Sequence, residues 1–280
     1  MNDAQPRRES ASCRTAEALH GHSVEAQVKG KMKQILITGA SGTIGASLRE
    51  LLRDRYALRL QERPGGTPLG PAREGEEIVQ AELADLAAMR AAVRGVDAVV
   101  HLAASSTGRE PWEAILNNNI VGMYTVLEAM RLEGVGRMVF ASTNHVTGYY
   151  ERERRPCYPE MPVRPDSYYG ASKAFGEALA RFYVDEHGLA VICLRIGSWQ
   201  PEPRNVRHLG TWLSPRDMAQ LTWRAIETPL RWGIFYAISG NTRRTWDIGP
   251  TQELLGYEPE DDVERYAGQI EEAGAQHATG

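Results

Sequence analysis

From Lys33 onward, short apolar runs alternate with longer stretches whose apolar positions recur at helical spacing. The runs "QILITG" (34–39), "YALRLQE" (56–62), "EEIVQAEL" (76–83), "DAVVHLAA" (97–104), "RMVFAST" (137–143), "LAVICLRIG" (189–197) and "GIFYAISG" (233–240) read as strands. Residues 43–54, 85–94, 111–133, 168–187 and 215–228 read as helices between them. Strands that are apolar throughout are covered on both faces, as in a parallel sheet held between two helical layers. The pattern therefore predicts a Rossmann-type, doubly wound α/β sheet of about seven parallel strands, with its ligand site at their carboxyl ends.

The first 31 residues break this pattern, being polar, mixed in charge and poor in large apolar side chains. They lack a signal-peptide core, and Asp3, Glu9, Glu17 and Glu25 speak against a transit peptide. They read as a disordered extension, with Met32 a candidate biological start. A single domain is expected over 32–280, with substrate-binding elements near 143–168, 198–214 and 240–280 in a small C-terminal region.

A chain of 280 residues can bury one large core. Its longest apolar runs fall well short of the ~18 residues that suggest a membrane span. Cys13, Cys157 and Cys193 are odd in number and widely spaced, which suits a reducing cytoplasm and neither a disulfide framework nor a zinc site. The net charge of -4 comes without a basic stripe, so nucleic acid is not an expected partner. An anionic substrate would need positioned cations, since the overall field does not attract it.

"TGASGTIG" follows the first strand and opens the first helix, with Gly39, Gly42 and Gly45 at three-residue steps. That order supplies a tight turn, a close backbone approach to a pyrophosphate, and helix-to-strand packing. Amide groups at the helix start, over Ser41, Thr43 and Ile44, would then face the phosphates. Glu62, at the end of the second strand, is placed to accept hydrogen bonds from the adenosine ribose and favours NAD. Arg63 beside it would instead suit a 2'-phosphate. Glu82 and Leu83 are candidates to flank the adenine.

In "RPDSYYGASKAFGE" (164–177), Tyr169 and Lys173 are four apart and share a helix face, whereas Tyr168 and Lys173 are five apart and diverge. With "TGASGTIG" and "HLAA" (101–104), this pair resembles the extended branch of the short-chain dehydrogenase/reductase superfamily. "FASTNHVTGYY" (140–150), "RPDSYYGASKAFGE" and "RIGSWQPEPRNVRHLGTWLSPRD" (195–217) resemble, more narrowly, the uronate dehydrogenase family. The resemblance implies NAD-dependent oxidation of the anomeric carbon of galacturonate or glucuronate to a lactone. It implies Tyr169 as base, with Lys173 and Thr143, and cofactor contacts from Leu102, Ala103, Ala104 and Asn119. Substrate contacts are implied for Ser106 (or Ser105, if the loop slips), Asn144, His145, Ser198 and the carboxylate-binding Arg207, with Arg204 the next candidate. Tyr168 becomes a packing or wall residue. Trp199 departs from the smaller residue expected there. The implied partners are a small sugar acid and further copies of the chain.

Removing a hydroxyl proton requires a base, and a tyrosine of pKa near 10 serves only if positive charge stabilises its phenolate. Lys173 is placed for that. His145, whose ordinary pKa suits the task, is the alternative base. Arg204 and Arg207 lie in the loop after the sixth strand, where arginine's planar fork matches a carboxylate. Two other readings stand beside this one. A nucleotide-sugar epimerase or dehydratase usually has a longer C-terminal lobe, and a non-catalytic NAD-binding regulator would need no base.

Overall fold

The computed structural model describes residues 32–106 and 110–278, with side chains to 272. Among the described residues nine strands run β1 (Gln34–Thr38), β2 (Ala57–Glu62), β3 (Glu76–Gln80), β4 (Ala98–His101), β5 (Arg137–Thr143), β6 (Ala190–Ile196), β7 (Ser198–Trp199), β8 (Trp212–Leu213) and β9 (Trp232–Ala237). The helices are α1 (Thr43–Leu52), α2 (Leu86–Val93), α3 (Trp112–Ile115), α4 (Gly122–Glu133), α5 (Gly148–Arg152), α6 (Tyr168–His187), α7 (His208–Thr211), α8 (Pro215–Glu227), α9 (Gly249–Leu255) and α10 (Ala267–Ala278).

Seven strands form one parallel sheet in the order β3-β2-β1-β4-β5-β6-β9. The side chains explain why these strands carry no polar alternation. Ile35, Ile37, Val139, Ala141, Ile192 and Leu194 pack on one face with Leu48 of α1 and Met218 and Leu221 of α8. Leu36, Met138, Phe140, Val191 and Cys193 pack on the other with Met89 of α2, Val126 and Leu127 of α4, and Val184 of α6. The central strands are covered on both faces, so both registers of β1, β4, β5 and β6 are largely apolar, whereas the edge strand β3, with Glu76, Glu77 and Gln80, is only partly covered. The order reverses between β1 and β4, which opens a crevice at the strands' carboxyl ends.

The expected helix over 111–133 is interrupted. Between α3 and α4, Leu116–Val121 form a π-helical segment, a widened turn of the kind often found at functional sites. Ser167 caps α6, its hydroxyl accepting from the Gly170 N–H at 3.0 Å, and Gly188 ends the helix with a left-handed φ of 77°. Elements α5, α7, α9 and α10 have no counterpart in the sequence pattern. Behind the site, α7 and α10 contribute to a separate cluster of Leu209, Trp212, Val263, Ala267 and Ile270.

Candidate active site

The crevice is a cleft of about 790 Å³. Its wall is drawn from the loops after β1, β2, β3, β4, β5 and β6 and from the start of α6.

At the β1 end, Gly39 has φ +68°, and a Cβ there would meet the backbone of Ala103 at 2.8 Å. A Cβ on Gly45 would meet Gly39 O at 2.5 Å and Ala40 Cα at 2.7 Å. Only glycine lets the turn, the first helix and the β4 loop close up this way. No side chain caps α1 at Gly42, so the first-turn amides remain available to an anion. The cradle fits the pyrophosphate of a dinucleotide. Ser41, Gly42, Thr43, Ile44, Glu82, Leu83, Leu102, Ala103 and Ala104 all line the cleft.

Glu62 does not. Its Oε2 accepts from the Leu69 N–H at 2.9 Å and its Oε1 from the Gln80 amide at 3.2 Å. The wall at this point is Gln61, Arg63, Gly66 and Thr67. Strand alternation is the cause, because adjacent side chains leave β2 on opposite sides. Gln61 is buried beneath the glycine turn, accepting from the Gly39 N–H at 2.9 Å and donating to Ala81 O at 2.7 Å.

Asn119 is also off the cleft wall. It accepts from the Ser105 N–H at 2.8 Å and donates to Ser105 O at 3.0 Å and Ser172 Oγ at 2.9 Å. It thus ties the β4 loop to α6. Its neighbour Asn118 reaches the wall and donates to Ser105 Oγ at 2.9 Å. The π segment brings both amides to bear on the same loop residue. Ser105 and Ser106 both line the cleft.

Thr143, Tyr169 and Lys173 lie together at the centre of the cleft wall. The Lys173 nitrogen is 4.6 Å from the Phe140 ring centre and 5.9 Å from that of Tyr169. Burial away from water pulls the Lys173 ammonium down to about 7, against smaller upward effects of Cys193 and Glu177. Burial pushes the Tyr169 phenol up to about 12, opposed by a hydrogen bond with Thr143 and assisted by Glu110. Tyr168 points elsewhere. It is 69 % exposed and stands edge-on to Trp112 at 5.6 Å.

His145 Nδ1 lies 2.8 Å from Asp166 Oδ1, and the ring stands edge-on to Tyr169 at 6.1 Å. Asp166 thereby fixes which nitrogen is tied down, leaving Nε2 for another partner. Behind α6, buried Glu177 accepts from Ser142 Oγ at 2.6 Å and from Arg195 Nε and Nη2 at 2.9 and 2.8 Å. This pair joins α6 to β5 and β6 one helical turn beyond Lys173.

At the far end, Asn144, Ser198 and Arg207 meet. Arg207 Nη1 donates to Ser198 Oγ at 2.7 Å, and Ser198 also contacts Thr211 Oγ1 at 2.9 Å. Arg207 additionally makes two bonds to Glu151, from Nε at 2.7 Å and Nη2 at 3.0 Å. Asn144 Nδ2 donates to the same carboxylate at 3.1 Å. Arg204 is not on the wall and meets His208 only through its backbone N–H, at 2.9 Å. Among the described residues none beyond His208 lines the cleft, and Val263, Ala267 and Ile270 of the expected 240–280 element pack with Leu209 and Trp212.

Sequence reasoning missed Gln61, Asn118, Glu151, Asp166 and Glu177. Asp166 and Glu177 lie inside the quoted "RPDSYYGASKAFGE" motif, but no local spacing announces their partners.

Fold and site together define a dinucleotide-dependent oxidoreductase. Residues 35–246 match the model of the NAD dependent epimerase/dehydratase family, and the chain belongs to that family. It is similar to uronate dehydrogenase of Pseudomonas putida, with 43 % identity over 85 % of this chain and 88 % of the relative. It is also similar to uronate dehydrogenase of Agrobacterium fabrum, with 42 % identity over 86 % and 89 %. A solved uronate dehydrogenase from Agrobacterium tumefaciens, a mutant complexed with NAD, superposes with a TM-score of 0.81 at 41 % identity, covering 86 % of this chain and 89 % of that one. The cofactor is NAD.

Proposed function

We propose that the protein oxidises the anomeric carbon of a hexuronic acid, galacturonate or glucuronate, to the aldarolactone. The observation that carries this reading is one cleft with Thr143, Tyr169 and Lys173 at its centre, the glycine cradle at one end and Arg207 with Ser198 and Asn144 at the other. The uronate dehydrogenase relatives support the same substrate class.

Bound NAD supplies the hydride acceptor and a positively charged ring. Tyr169 takes the proton from the anomeric hydroxyl at its phenolic oxygen. A phenol held near 12 is almost wholly protonated at neutral pH and a protonated phenol is no base, so the step depends on positive charge beside it to stabilise the phenolate. Lys173, on the same helix face, carries that charge in its ammonium form, which burial confines to about pH 7 and below in the protein without cofactor. Thr143 holds the reacting oxygen with its hydroxyl. His145, steadied by Asp166, orients a neighbouring sugar hydroxyl. Arg207 grips the uronate carboxylate.

The test is NADH formation, followed by its near-ultraviolet absorbance, with galacturonate, glucuronate, galactose, glucose and UDP-sugars. Turnover of either uronate supports the reading. No NADH from either uronate, together with conversion of a UDP-sugar seen by chromatography, would replace it with the nucleotide-sugar alternative, whose overall reaction leaves NAD unreduced.

A further inference from the structure

Arg207 does not meet the cleft as a bare cation. A guanidinium has five N–H donors. Two of them hold Glu151 in a bidentate pair and one holds Ser198. Glu151 sits on α5, 56 residues away in the chain, and does not itself line the cleft, whereas Arg207, Ser198 and Asn144 do. The carboxylate therefore takes the Nε–Nη2 edge from behind the wall. Asn144, the other amide at this end, is also turned onto Glu151 at 3.1 Å. A second carboxylate arriving from the cleft meets a guanidinium whose charge is already matched, with the like charge of Glu151 just behind it.

On the reading that Arg207 receives a uronate carboxylate, we infer that Glu151 is a specificity-determining residue. By compensating Arg207 it weakens the preference for acidic over neutral sugars, so that aldoses without a carboxylate compete at this site. The pair is partly solvated, with side-chain exposures of 45 % for Arg207 and 24 % for Glu151, so water and salt moderate the effect.

The experiment compares kcat/KM for galacturonate with that for galactose, and glucuronate with glucose, at saturating NAD, in wild type, Glu151→Gln and Glu151→Ala. Both variants remove the negative charge, and the acid-to-neutral ratio should rise about threefold to tenfold. Two variants guard against one that fails to fold, and NAD binding checks each. An unchanged or lower ratio in a folded variant overturns the inference, because Glu151 then merely orients Arg207. Those outcomes leave the functional reading standing as long as wild type turns over a uronate. Wild type that oxidises neither acid overturns both.

Discussion

The centre of the cleft and its far end are built in opposite ways. At the centre, Tyr169 and Lys173 are one helical turn apart on α6, and burial displaces both from their ordinary protonation behaviour. At the far end, Arg207 is half exposed, stands on a loop, and is balanced by a carboxylate from a distant segment. Reactivity needs groups removed from water, because only there does a neighbouring charge act with full strength. Selection among substrates tolerates water, and a loop can trade partners there without disturbing the chemistry.

The largest effect expected is at the centre. Tyr169→Phe should lower kcat by ~10² to ~10⁴-fold, the range of a lost general base, with NAD affinity close to that of wild type. Tyr168→Phe, on the exposed side of α6, should keep substantial activity. Steady-state kinetics and an NAD titration check both, and an exchange of the two behaviours would invert the assigned helix face.

The support behind the centre can be broken separately. Glu177→Gln leaves Arg195 buried and uncompensated, with side-chain exposures of 2 % and 4 % in the native pair, and should cost about 3 to 5 kcal/mol of stability in urea unfolding. A loss below about 1 kcal/mol would mean that Arg195 finds another partner.

At the far end, Arg207→Met should lower kcat/KM for galacturonate or glucuronate by at least about tenfold. The loss on galactose or glucose should be smaller, since they have no carboxylate. Equal losses on acid and neutral sugar would make Arg207 a structural residue.

The smallest effect is a pH slope. The folded value of Lys173, about 7, lies below its ordinary 10.5. Between these values the unfolded chain binds more protons than the folded one, so stability rises with pH there and is lost as pH falls toward 7. The contribution is at most about 1.4 kcal/mol per pH unit. Urea unfolding from about pH 7.5 to about 9.5 should show wild type gaining on Lys173→Met. Parallel curves would mean that water reaches the ammonium.

All seven strands of the main sheet, the glycine cradle and the Tyr169–Lys173 pair were legible from the chain, because each is a local matter. Strand burial on two faces appears as an unbroken apolar run, and a helix carries positions i and i+4 to one side whatever surrounds it. Which of two adjacent β2 residues meets the cofactor cleft was not local. In the structure Gln61 lines it, with Arg63 just past the strand end, while Glu62 is held by the Leu69 N–H and the Gln80 amide. Nor was the state of Arg207 legible. Its pairing with Glu151 spans 56 residues and exists only because α5 and the loop after β7 reach the same corner. Spacing along the chain carries no information about such a contact, since it arises when two segments, each placed by its own packing, arrive at one point in space. The sequence by itself thus determined the sheet, the glycine turn and the Tyr169–Lys173 pairing on one helix face, while only the tertiary structure decided which charges face one another around Arg207.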